Sequence, residues 1–360
     1  MRNGCRTATA GYVTTRLYES ETEMTNTPTN LTKLAWLGRI GTIILLTGIG
    51  LSAARAADPD LILGPNACAE CHKKEAAIWQ TTHHFTTFRD LPNKKEADEI
   101  ATKMDVKRLK SESLCLNCHF TVQAPDKVIA GISCESCHSG AKNWSKLHSG
   151  FSGKKEGEET KAEIASRWEK SVAAGMILPT NYYALAKNCL TCHVVPNEKL
   201  VNVGGHKAGS SFELVSWSQG EIRHNVWFTK GASNPEASQI RKRMLFVMGR
   251  VVELEASLIG VSKATAKEDY ALKMATRADT ARKAVAALAN LLPNVPELKA
   301  IADIGQGAGL KLNNEAELVA AAGKISELAK KLSSNYDGSA FGAVDQYIPG
   351  PDKYKGQASN

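Results

Sequence analysis

Three regimes of hydrophobic patterning follow one another along the 360-residue chain. Residues 1–23 carry no apolar pattern. Met24, a candidate true start, precedes Lys33 and Arg39, an apolar run from Ile40 to Leu51, and Ala54-Arg55-Ala56, the order of a secretory signal with a small-residue cleavage site. Residues 1–56 are therefore read as leader and signal peptide, cut after Ala56, and the mature chain is expected to be periplasmic or otherwise exported. A retained anchor is the rival reading. The uncharged stretch Ile40–Ala54 has 15 residues where a span takes about 20, so no membrane span is expected in the mature chain.

Residues 57–232 show short, interrupted apolar runs, with a charged, Gly-containing stretch at Ser152–Glu163 that reads as a solvated loop. The segment Cys71–Phe88 has neither Gly nor Pro and reads as one continuous helix. Residues 235–335 differ in kind. There Ile240, Met244, Val247, Val251, Leu254 and Leu258 recur at helical spacing, as do Leu318, Ala322, Ile325, Ala329 and Leu332, with Pro293, Pro296 and Gly305–Gly309 as punctuation. This predicts a bundle of three or four helices, followed by an extended Gly/Pro-containing tail over 336–360.

Cysteine placement changes the picture most. Of nine cysteines, Cys5 lies in the leader, and the other eight form four pairs: Cys68/Cys71, Cys115/Cys118, Cys134/Cys137 and Cys189/Cys192. Each pair is followed at once by a histidine, in CAECH, CLNCH, CESCH and CLTCH, ending in His72, His119, His138 and His193. C-x-x-C-H is the attachment signal for c-type haem: two thiols three positions apart reach both vinyl groups of one porphyrin, and the adjacent imidazole sits beneath the iron. Cys₄ zinc sites or disulfides would use the same cysteine pairs. Neither explains four histidines in register. The expected cofactors are four covalently bound haem c groups, and the expected fold is mainly α: a multihaem cytochrome c module over 57–232 with little regular β, then the helical bundle.

Five further histidines are His83, His84, His148, His206 and His224. Along a continuous helix His84 would stand about 18 Å beyond His72, too far to share its iron, so as a ligand it would cap another haem. His148 lies ten residues past the third motif, across Ser139-Gly140 and Asn143, and spacing alone does not choose its iron. His206 sits in a glycine-flanked loop, Gly204–Gly209, that would let backbone approach a flat ring closely. His224 follows Arg223, a candidate partner for a haem propionate. His83 reads as a polar residue near a haem edge. By count, His84, His148, His206 and His224 could cap all four irons. Histidine rather than methionine on the distal side keeps potentials low; Met244, Met248 and Met274 lie in helical patterns and read as core.

The first motif with Trp79 and His84, then Gly131-Ile132-Ser133-Cys134-Glu135-Ser136-Cys137-His138-Ser139-Gly140 leading to Asn143 and His148, resembles the tetrahaem cytochrome c-554 family over about residues 66–195. That family is a mainly helical haem module that accepts electrons from hydroxylamine oxidoreductase in ammonia-oxidising bacteria. The resemblance implies that His148 caps the first haem and His84 a later one. It also implies an open face on the second haem, held by Cys115, Cys118 and His119.

The formal charge of +8 falls to +5 once the six basic and three acidic groups of residues 1–56 are removed. Four ferric haems, each adding about one negative charge when both propionates are ionised, bring the protein near neutrality. The basic excess is haem neutralisation, and no nucleic-acid partner is expected. Redox proteins are the expected partners, with a hydroxylamine oxidoreductase-like donor. An electron carrier fits these features best. A haem enzyme reducing a small nitrogen oxide at an open iron and a membrane-anchored quinol dehydrogenase are the alternatives; no C-x-x-C-K motif supports a nitrite reductase.

Overall fold

The computed structural model describes residues 57–111 and 113–359, so the expected start at Met24 and the signal peptide lie outside the described residues. The first part of the chain is a succession of short helices. These are α1 (Pro65–Ala69), α2 (Lys73–Trp79), α3 (His83–Asp90), α4 (Lys95–Lys103) and α5 (Ser113–His119). A two-stranded antiparallel hairpin follows, β1 (Thr121–Gln123) with β2 (Lys127–Ala130), then α6 (Cys134–His138), α7 (Ser145–His148) and α8 (Lys161–Ala173). Next come α9 (Tyr182–His193), α10 (Glu198–Asn202) and α11 (Leu214–Ser218). Four long helices close the order: α12 (Gln239–Ser262), α13 (Asp269–Leu291), α14 (Pro296–Gly307) and α15 (Glu315–Asn335). The fold is mainly α, as expected.

The apolar stripe of α12 is fully buried through Met244, Val247, Val251, Leu254 and Leu258, against α13 and α15. Leu298 and Ile301 of α14 and Leu318, Ile325 and Leu332 of α15 complete this core. Met244, Met248 and Met274 are core residues with no exposure. Helix α9 packs on α12 and α15 and is pinned by a buried polar cluster. In it Tyr183 OH lies 2.5 Å from Ser326 Oγ, and Lys187 Nζ donates to Glu255 Oε1 at 2.8 Å. A buried carboxylate is tolerable there because it is paired and hydrogen-bonded.

Three local expectations are corrected. Cys71–Phe88 is not one helix: the chain breaks after Trp79, and Thr82 starts α3 by accepting from Phe85 N–H while its hydroxyl donates to Trp79 O. Threonine hydroxyls compete for backbone groups and favour a cap over a helix interior. Ser152–Glu163 is not merely solvated, because Glu159 forms a bidentate pair with Arg167, their side chains only 3% and 9% exposed, and Thr160 with Glu163 makes a capping box for α8. The tail is not simply extended either. Residues Ser339–Tyr347 form a 3₁₀ segment that buries Phe341 and Val344 completely in the bundle core. No helix among the described residues is long and apolar enough to cross a membrane.

Candidate haem-binding site

Each C-x-x-C-H segment lies on or beside a helical turn. The second ends α5, the third is α6, and the fourth ends α9. The first begins in α1, and His72 N–H still donates to Cys68 O at 2.9 Å. Helical spacing puts positions i and i+3 on one face, so both cysteines of the second, third and fourth motifs turn to the same side, whereas Cys71 of the first lies just past the end of α1. The motifs also meet in pairs, with the Cys68 and Cys134 side chains interacting and likewise those of Cys118 and Cys192. The Cys68 and Cys192 thiols are pushed up by those interactions and then by burial.

The structure brings every motif histidine opposite one of the four other candidates. Ring centroids are 6.3 Å apart for His72 and His148, 6.2 Å for His119 and His206, 6.3 Å for His138 and His224, and 6.5 Å for His193 and His84. Two metal–imidazole bonds of about 2.0–2.1 Å, with each ring centre about 1.1 Å behind its nitrogen, would put the centroids roughly 6.2–6.4 Å apart. All four pairs stand at or close to that spacing. His83 has no such partner; its Nδ1 pairs with buried Glu221 at 2.6 Å.

The second ring nitrogens are accounted for in most of the set. Nδ1 meets Ile177 O in His138 (2.9 Å), Ser145 O in His148 (2.6 Å), Lys207 O in His206 (2.8 Å) and Ile222 O in His224 (2.7 Å). In His193 it meets Ser210 Oγ at 2.6 Å. A carbonyl there requires Nδ1–H, which leaves the Nε2 lone pair for a metal and fixes the ring plane. Burial favours the neutral ring. It pushes His119, His138 and His193 down to about 4, with the facing imidazoles adding to the effect, and it lowers His72, His84 and His148 as well. A neutral imidazole is the form that ligates.

Close backbone approaches hold the pairs in place. A Cβ on Gly131 would strike His84 O, and Ile132 donates to that same carbonyl while accepting from Trp79 Nε1 at 2.8 Å. Gly209, at φ +127°, bridges to Val194, and a Cβ there would meet His193 O at 2.6 Å. That bridge sets Ser210 against the His193 ring. From the bundle, Arg277 donates to Ser210 O at 2.9 Å. Aromatic rings back the imidazoles: Trp227 is 5.0 Å from His72, Trp144 5.2 Å from His148, and Phe212 4.5 Å from His193. Ser210, Arg277 and these aromatics were missed in the sequence, where no spacing links them to the motifs.

The packing fits a large apolar group as well. The contiguous core starts at Tyr183, and no earlier residue belongs to it, although three of the four motifs precede that point. Apolar burial there is scattered, as at Ile62, Ile78, Phe120 and Trp144, while Leu63, Phe85, Leu147, Ile164 and Val172 stand exposed. Short helices with so little apolar burial do not stay folded on propensity alone. Paired imidazoles, aligned thiols and uncovered apolar side chains together suit haem.

Residues 67–139 match the family model described as cytochrome c554 and c-prime. Over those residues the chain is similar to the cytochrome c-554 family. Cytochrome c-554 of Nitrosomonas europaea is 28% identical over 145 residues, covering 36% of this chain and 57% of that protein. The match thus spans little more than half of the relative's length. No solved structure matches the chain. Covalently bound haem c goes with c-type cytochromes, and the C-x-x-C-H thiols are the groups in this chain with the chemistry to attach it.

Proposed function

We propose that the mature chain is an exported electron-transfer cytochrome with four haem c groups, each iron held between two histidines. The observation that carries this reading is the set of four imidazole pairs with one common separation. Cys68, Cys71 and His72 with His148 would hold the first haem, and Cys115, Cys118 and His119 with His206 the second. Cys134, Cys137 and His138 with His224 would hold the third, and Cys189, Cys192 and His193 with His84 the fourth. The bound haem supplies reversible one-electron chemistry at the iron. The motif cysteines would attach it, the Nδ1 hydrogen bonds would fix the rings of the histidines that hold it, and those paired histidines would keep exogenous ligands out. Two imidazoles keep the potentials low.

The His119–His206 pair is the point of departure from the family resemblance, which would leave the second haem open. It favours a carrier over an enzyme acting on a nitrogen oxide. The partners would be redox proteins, with a hydroxylamine oxidoreductase-like donor as the resemblance implies. Intact-mass spectrometry of the purified protein is expected to give a chain beginning near Ala57 with four haems on eight thioether bonds. A missing haem, free motif thiols after denaturation, or retention of residues 40–54 would contradict the reading.

A further inference from the structure

Glu135 is the second residue of the third motif, and it is only 1% exposed. Its two carboxylate oxygens accept three backbone N–H groups, from Leu63 (2.9 Å), Gly64 (2.7 Å) and Ala141 (2.8 Å). A group that only accepts is the ionised carboxylate. Among the described residues it forms no ion pair, so peptide dipoles alone meet the buried charge. The three donors belong to different segments. Leu63 and Gly64 lead directly into α1, which carries Cys68, with Gly64 at its N-cap, whereas Ala141 closes the turn after His138. One side chain therefore ties the approach to the first motif onto the third, at the place where Cys68 and Cys134 touch.

We infer that Glu135 is a positioning residue that locks the first and third attachment segments together and, as a buried negative charge beside both, lowers the reduction potentials of the haems attached there. This rests on the four-haem reading. Adding an electron next to an anion in a poorly screened interior is disfavoured, and local charge, burial and hydrogen bonding are the protein's levers on haem potential.

The test is a spectroelectrochemical titration of the wild type and Glu135→Gln, with intact mass confirming four haems in each. Two of the four midpoint potentials are expected to rise in the variant while the other two hold. Four unmoved potentials, or one uniform shift of all four, would overturn the inference. Wild-type protein lacking four haems would instead overturn the reading beneath it. Glu135→Asp keeps the charge but retracts it from Leu63 and Gly64, so a smaller rise in the same two haems is expected. Should neither variant accumulate, amide hydrogen exchange on the wild type decides: strong protection of Leu63, Gly64 and Ala141 supports the lock, and fast exchange at all three contradicts it.

Discussion

Residues 57–182 and residues 239–335 are both helical, yet they are held together in different ways. The later region has four long helices around side chains with no exposure at all, such as Leu254, Ile301 and Ile325. The earlier one has mostly short helices and buries apolar side chains only in scattered places, such as Ile78, Phe120 and Trp144, outside the contiguous core. Polar links join it as well, including Trp79 to Ile132, Arg167 to Glu159 and Glu135 to three amides. A bundle that buries its own apolar stripe is stable by hydrophobic burial. A region of short helices lacking that stripe needs another apolar body, and the paired imidazoles mark where the porphyrins would supply it.

The sharpest way to break this contrast is to withhold the haem. Chain produced without haem attachment is expected to lose structure over residues 57–182 while 239–335 stays helical. Limited proteolysis with mass mapping reads this out, and equal resistance of both regions would end the distinction. Next in size is a core truncation. Leu254→Ala, at a site with no exposure, should cost about 2–5 kcal/mol of stability in denaturant unfolding, while the low-spin haem spectrum is unchanged. A third change acts on the other region only. His84→Ala removes the ring facing His193 and should convert one haem to high spin with all thioether bonds intact, as magnetic circular dichroism or electron paramagnetic resonance would show. The smallest effect is expected at Thr82→Ala, which removes the N-cap of α3 and should cost about 1 kcal/mol.

What was legible in the sequence is what depends on neighbours in the chain. The C-x-x-C-H motifs need only a helical turn, and the apolar repeats of α12 and α15 fall where the periodicity put them, except Ile240, which stands exposed in the first turn of α12. Even locally, the missing Gly and Pro in Cys71–Phe88 misled, because threonine hydroxyls end a helix without either residue. The imidazole pairs join residues from 76 to 109 positions apart, and no local rule states such pairings. His84 was expected to avoid the iron of His72 on the ground of helix length. It faces His193 instead, although that helix is broken. Burial of Phe341 and Val344 in the tail was illegible for the same reason: it depends on the groove beside α12 and α13, not on the tail's own composition.

The central claim is that every iron has two histidines, including the second, where His206 faces His119 across 6.2 Å. Adding carbon monoxide or nitric oxide to the fully reduced wild-type protein tests it most directly, because distal ligation controls small-molecule access. No binding to the wild type is expected, with binding to about one haem in four appearing when His206→Ala frees the second. Stoichiometric binding to one haem of the wild type, together with a high-spin ferric signal, would contradict the account and return the second haem to an open face.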